Sequence, residues 1–275
     1  MLRSSKFTRN VFRSFSGQFV QVAPVSEHVS ELILTRPEKL NALTLPMAKE
    51  IVFACSQLEQ DTATRAIIVR GEGRAFCSGR DLTLSALHSD REAREYLETA
   101  VAAVLAVYRL PIPTVAALHG CALGFGLELA LACDIRVSSH DCKLGFPETK
   151  LGIFPGAGGS FLLPLVLGSP SKALEWVLTG EQFTVADAVK SGLVSRSGDD
   201  ATLEALAFAN KIAANGPLGV RAAKRVLLKG IEAALDSCGW QEEAMRERQA
   251  LTKTQDYHEA LKAFAEKRAP VFTGK

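Results

Sequence analysis

Read for apolar spacing, the chain alternates between short strands and helices. The apolar residues over 29–34 suit a strand, and Arg36-Pro37 ends it, because the residue before a proline is pushed out of helical geometry. Thr44 is placed to cap a helix in which Met47, Ile51, Ala54, Cys55 and Leu58 recur at helical spacing, up to about Asp61. Ala66-Ile67-Ile68-Val69 then reads as a buried strand closed by Gly71 and Gly73. A second unit predicts a helix over 91–108, a stop at Pro111 and Pro113, a strand over 114–117, a glycine turn, a helix over 126–133 and a strand over 135–137. Beyond Pro170 strand signals vanish, and helices are predicted over 172–179, 185–191, 202–214, 217–238 and 241–268.

Repeated strand-helix alternation predicts an α/β fold whose parallel strands are joined by crossover helices, followed by a charged helical tail. With 275 residues, 47% of them hydrophobic and 23% charged, there is apolar material for one sizeable core. No apolar run reaches the roughly 18 residues needed to cross a bilayer. His119 and Glu128 interrupt even the stretch 115–133, so no membrane span is expected.

The first seventeen residues carry Arg3, Lys6, Arg9 and Arg13 among Ser, Thr, Phe and Val, with no acidic residue before Glu27. This composition fits a mitochondrial presequence, and a disordered basic tail is the alternative. The segment supplies four positive charges of a chain whose net charge is +2, so the remainder is slightly acidic. A general nucleic-acid binder announces itself by a basic excess, which is missing. Six cysteines form no CxxC pair and five histidines lack metal-ligand spacing, so no metal site is expected. Cys77 and Cys121 lie near glycines and are open to a catalytic reading, but packing is the commoner role of such a thiol.

Three segments could carry chemistry. Gly120-Cys-Ala-Leu-Gly124-Phe125-Gly126-Leu-Glu128 places a glycine turn before an apolar helix, whose free N–H groups attract anions. Glu128 falls in its first turn among Leu127, Leu129, Ala130 and Leu131; it either complements the helix dipole or is a buried functional carboxylate. Gly145-Phe-Pro-Glu148-Thr-Lys-Leu-Gly152 and Pro155-Gly156-Ala-Gly158-Gly159 put a second carboxylate before a glycine-rich loop. Taken alone Glu148 reads as a solvated loop residue, and only its pairing with Glu128 favours function. Gly73-Arg-Ala-Phe-Cys-Ser78-Gly79-Arg80-Asp81-Leu82 is a small-residue turn after a buried strand, able to offer another backbone N–H or simply to connect two elements.

In order, SGRDL, GFGLELALACD, GFPETKLGIFPGAGG and FAEKR near the end resemble the enoyl-CoA hydratase/isomerase, or crotonase, family over about residues 19–274. The resemblance implies a core of repeated ββα units over 18–212 and a C-terminal helical trimerisation region over 213–275, with trimers stacking into hexamers. It implies hydration of a 2-enoyl-CoA in fatty-acid or branched-chain amino-acid breakdown in the mitochondrial matrix, the leucine-catabolic branch being the nearest by eye. It further implies Glu128 as base, Glu148 as acid, the backbone N–H groups of Arg80 and Phe125 as oxyanion hole, and Gly156 as water-positioning. Arg80, Ser78, Phe264 and Lys267 are implied contacts to CoA, which is part of the substrate, and no separate cofactor is expected. Double-bond isomerisation is the alternative activity.

One relative in the resembling branch binds RNA through a lysine-rich helix. The matching helix here has only Lys49, with Glu50, Glu59 and Asp61, so no nucleic-acid partner is expected, and an RNA-binding role is kept only as a lesser alternative to hydration and isomerisation. Three departures from the family pattern stand out: Arg80 in place of alanine, Phe125 in place of glycine, and Ser160-Phe161-Leu162-Leu163 in place of a polar run. Arg80 is expected to reach outward to CoA phosphates, and Phe125 to narrow the acyl pocket or alter its turn.

Overall fold

The computed structural model describes residues 14–83 and 90–275. Most of the leader-like segment therefore lies outside the described residues. Its last part does not: Phe15–Ser16 forms β1, antiparallel to β2 (Val20–Ser26), and the Phe15 ring packs 5.2 Å from that of Phe53.

The architecture grows from two sheets that the chain visits in turn. The larger has the order β1-β2-β3-β4-β5-β7-β10, where β3 is Val29–Leu34, β4 Ala66–Gly71, β5 Thr114–Leu118, β7 Ile135–Ser139 and β10 Arg196–Gly198. From β3 onward its neighbours run parallel, and only the β1-β2-β3 edge is antiparallel. The smaller contains β6 (Cys121–Leu123), β8 (Lys143–Gly145) and β9 (Gln182–Phe183). A repeated unit follows: β5 leads to β6 and then helix α3 (Phe125–Leu131), and β7 leads to β8 and then α4 (Gly159–Leu167). After β4 the chain likewise reaches the second sheet, where Cys77 bridges Ala122, before entering α2 (Asp90–Tyr108).

Burial explains why these segments close up. α1 (Leu45–Glu59) begins where Thr44 accepts a hydrogen bond from the Met47 N–H, and buries Met47, Ile51, Ala54, Cys55 and Leu58. Its largest apolar side chains each contribute roughly 1.5–3 kcal/mol by leaving water. A second apolar layer gathers Val29, Ala66, Ile68, Val115 and Val137 of the large sheet beneath α7 (Ala201–Ala213). Ala201, Ala205, Ala209 and Ala213 recur every four residues, so α7 presents a flat row of methyls to the sheet.

Two expectations are corrected. Strands do occur after Pro170, since β9 and β10 add short edges to the two sheets; at two and three residues they are too brief to show a period. The final helix over 241–268 is broken into α9 (Trp240–Leu251) and α10 (Gln255–Ala265), because Thr254 accepts from the Tyr257 N–H and starts a new helix. The remaining helices are α5 (Pro170–Thr179), α6 (Val185–Lys190) and α8 (Pro217–Ser237). Among the described residues no helix is long and apolar enough to cross a membrane.

Candidate active site

The two glycine turns singled out in the sequence lie side by side. Cys77 N–H donates to Cys121 O at 3.0 Å and Leu123 N–H to Cys77 O at 3.0 Å, so residues 77–80 run alongside β6. Glycine is required for this approach: a Cβ on Gly126 would lie 2.2 Å from Cys77 O. One on Gly79, whose φ is +106°, would lie 3.0 Å from Leu123 O. Leu43 N–H donates to Gly79 O and Asp81 N–H to Leu43 O, and in such a bridge the residue between turns its N–H the other way. The Arg80 N–H is thereby directed away from Leu43. Phe125 is the first residue of α3, where the helix itself supplies no acceptor for the N–H. Arg36 fixes the first turn by an ion pair to buried Asp81 at 2.7 Å, and Thr83 Oγ1 donates to the same carboxylate at 2.6 Å.

Between these turns and the loop 152–159 lies a cavity of about 510 Å³. Ser78, Arg80, Phe125, Glu128, Glu148, Gly156 and Phe264 all line it. The fold thus brings together every residue proposed from sequence except Lys267, which stands exposed just beyond α10 at φ +55°.

Glu128 and Glu148 are both buried, in unlike surroundings. Glu128 Oε1 accepts from Ala157 N–H at 2.9 Å and Gly159 N–H at 2.8 Å, which leaves Oε2 for a reactant. Burial raises its pKa to about 6, the rise being held down by those backbone donors and by Arg248. Glu148 follows the chain turn at Pro147 and lies against Gly124, where a Cβ would meet its Oε1 at 2.7 Å. Its Oε2 is buried without a hydrogen-bond partner among the described residues. Burial first, and then the charge of Glu128, push its pKa up to about 8. Near neutral pH one carboxyl is ionised and the other holds its proton.

The departures acquire physical roles. Phe125 packs into the main core while Gly124 takes the positive φ (50°) that the turn needs. Ser160 Oγ donates to Pro155 O at 2.7 Å and Phe161 stacks on Trp240 at 5.6 Å, so the run after the glycines tightens the loop and seats α9. The Arg80 guanidinium lies over the Tyr96 ring, 4.4 Å from its centroid, on the cavity wall. Burial raises the Cys121 thiol and pushes that of Cys77 up to about 12, which disfavours a thiolate nucleophile at either position.

One residue escaped the sequence reading. Arg248 of α9 lines the cavity and donates to Phe154 O at 2.8 Å. Its signal was present: Ala244, Arg248 and Leu251 follow i, i+4, i+7 and so share the inward face of an otherwise charged helix.

Residues 25–275 match the family model described as enoyl-CoA hydratase/isomerase. The enoyl-CoA isomerase/hydratase fer4 of Mycosarcoma maydis is 39% identical over 258 residues, spanning 90% of this chain and 93% of that one. The mouse mitochondrial enoyl-CoA hydratase domain-containing protein 2 is 37% identical over 257 residues, 91% of this chain and 86% of that one. Among solved structures, carnitinyl-CoA hydratase from Mycobacterium avium superposes with a TM-score of 0.81 at 34% identity, covering 94% of this chain and all of that one.

Proposed function

Since the chain belongs to the enoyl-CoA hydratase/isomerase family, with its crotonase-type fold, we propose that it adds water across the double bond of a 2-enoyl-CoA to give a 3-hydroxyacyl-CoA. The observation that carries this reading is the unequal pair of buried carboxyls on one cavity, Glu128 with two backbone donors and Glu148 Oε2 with none among the described residues. Hydration needs a base and an acid at once, and this asymmetry supplies both near neutral pH.

In the proposed reaction the thioester oxygen accepts hydrogen bonds from the Arg80 and Phe125 N–H groups, which stabilise the enolate as it forms. A donor of this kind contributes about 3–4 kcal/mol in comparable sites. A water held near the Gly156 N–H attacks C3 while Glu128 Oε2 takes its proton, and Glu148 delivers its own proton to C2. The acid ends ionised and the base protonated, so one proton exchange with solvent resets the site. Ser78 and Phe264 line the route to CoA, with Lys267 outside it. No group beyond the substrate's own CoA is called for by these steps. A basic leader and mitochondrial relatives support action in the matrix, in fatty-acid or branched-chain amino-acid breakdown, as a trimer or hexamer.

The test follows loss of enoyl-thioester absorbance with crotonyl-CoA in wild type, Glu128→Gln and Glu148→Gln. Turnover by wild type alone, with CoA-ester binding retained in both variants, is expected. A wild type that binds CoA esters and hydrates none, yet shifts the double bond of a 3-enoyl-CoA, would replace hydration by isomerisation.

A further inference from the structure

The Arg80 N–H can serve a thioester oxygen only while the turn around it keeps its place, and two side chains from outside the turn hold it. Arg36 is the first: its Nη1 is ion-paired to Asp81 and also donates to Ala42 O at 3.0 Å, so one guanidinium grips both segments of the bridge. Tyr96 of α2 is the second. Its hydroxyl donates to Leu43 O at 3.2 Å, the same oxygen that accepts the Asp81 N–H at 3.0 Å. Its ring lies under the Arg80 guanidinium, 4.4 Å from centroid to Cζ. Tyr96 thus touches both partners of the bridge that turns the Arg80 N–H away from Leu43, one by its hydroxyl and the other by its ring. Burial raises the pKa of the phenol, so the hydroxyl stays protonated near neutral pH, and its one proton is committed to Leu43 O. Although Tyr96 lines the cavity, that commitment makes it a tether and leaves the acid and base roles to the two glutamates.

We propose that Tyr96 is a positioning residue for the oxyanion donor at Arg80, holding the Leu43–Arg80 bridge from α2 and acting through those two residues rather than on the reacting atoms. This deepens the reading above and rests on its Arg80 N–H, not on the addition of water, since any reaction through the same enolate needs that donor in place. A backbone donor aimed at developing charge loses much of its effect when displaced by a fraction of an ångström. The hydroxyl contact is long for an O–H donor, so a modest effect is expected from its loss. Leu43 O keeps the Asp81 N–H when the hydroxyl is removed, so no orphaned acceptor is left and stability should change little.

The experiment compares wild type, Tyr96→Phe, which keeps the ring, and Tyr96→Leu, which loses ring and hydroxyl. Each is titrated with 4-(dimethylamino)cinnamoyl-CoA, a conjugated thioester whose absorbance moves to longer wavelength as its carbonyl is polarised, and each is assayed with crotonyl-CoA. Wild type is expected to shift the bound chromophore to the red, Tyr96→Phe to shift it less, and Tyr96→Leu least. Tyr96→Phe should lower kcat by about 3- to 10-fold with KM changed by less than about 2-fold, an unchanged Tm and unmoved limbs of the pH profile. A wild-type red shift and kcat in Tyr96→Phe overturn the inference. So does a lowered kcat with an undiminished red shift, which would place the effect outside the oxyanion hole, or a displaced pH limb, which would assign Tyr96 to the acid-base pair. If Tyr96→Leu does not fold, Tyr96→Phe alone decides. A wild type that polarises the chromophore but hydrates no crotonyl-CoA defeats the hydratase reading, and the spectra of the variants still decide the role of Tyr96; a wild type that polarises nothing removes the Arg80 donor and this inference with it.

Discussion

Replacing Glu148 by glutamine should stabilise the protein while stopping its chemistry, and the gain should depend on pH in a set direction. Folded Glu148 keeps its proton up to about pH 8, whereas an ordinary glutamate releases it near 4.5. Between those values the folded state binds more protons than the unfolded one, so stability falls as pH rises through the window. At about 1.4 kcal/mol per tenfold change in proton affinity, the penalty is roughly 1 kcal/mol at pH 5 and approaches about 5 kcal/mol at pH 9. Glutamine mimics the protonated acid in shape and never ionises, so it removes the penalty. Thermal unfolding of wild type and Glu148→Gln at fixed protein concentration should show a Tm gap that widens by roughly 5–10 °C from pH 5 to pH 9. A gap that stays constant or narrows toward pH 9 would refute the claim that Glu148 is neutral in the folded protein, and the acid role with it.

The same geometry sets four other outcomes. With Glu128 ionising at about 6 and Glu148 at about 8, initial-rate kcat/KM should trace a bell whose limbs fall near those values, rising with base formation and falling with loss of the acid. Gly159→Ala would place a Cβ 2.8 Å from Glu128 Cγ; a drop in kcat of about 10- to 100-fold is expected, with destabilisation of about 1–3 kcal/mol by chemical denaturation. Arg36→Ala leaves buried Asp81 without its cation beside the Arg80 turn, and should destabilise by roughly 3–5 kcal/mol in the same assay. Phe264→Ala removes a half-exposed wall of the cavity mouth and should raise KM for crotonyl-CoA several-fold while leaving Tm nearly unchanged.

Much of the scaffold is written locally, and the parts that are not share a cause. Thr44 and the spacing from Met47 to Leu58 specify α1 because cap and apolar stripe agree within one segment. β6 and β8 are three residues each and pair with one another between positions 22 residues apart, Cys121 with Lys143 and Leu123 with Gly145, so Cys121–Leu123 reads locally as part of a glycine turn. β2 carries Pro24, and α4 carries Pro164 after a run of glycines, so each shows a breaker inside the element. Glu128 and Glu148 are legible as a pair, and the family resemblance implies which is base and which is acid, but the physical cause of their inequality is not legible. That inequality comes from the N–H groups of Ala157 and Gly159, which reach Glu128 only once the loop has folded back on α3.

The inequality is also what the glycine pattern of the loop protects. A side chain at 159 would press on Glu128, and one at 124 would press on Glu148, yet the two glycines serve opposite ends. Gly159 offers its N–H to Glu128 and lowers the cost of charge there. Gly124 admits the carboxyl of Glu148 against bare backbone, where its Oε2 finds no donor among the described residues. Burial alone would raise both acids alike, and two acids raised alike would exchange roles with small changes in surroundings. The loop amides of Ala157 and Gly159, given to Glu128 and not to Glu148, favour Glu128 as base and Glu148 as acid, and they are backbone groups that side-chain substitution elsewhere in the cavity leaves in place. Acyl preference is therefore free to vary at wall positions such as Phe125 while the acid-base order stays fixed.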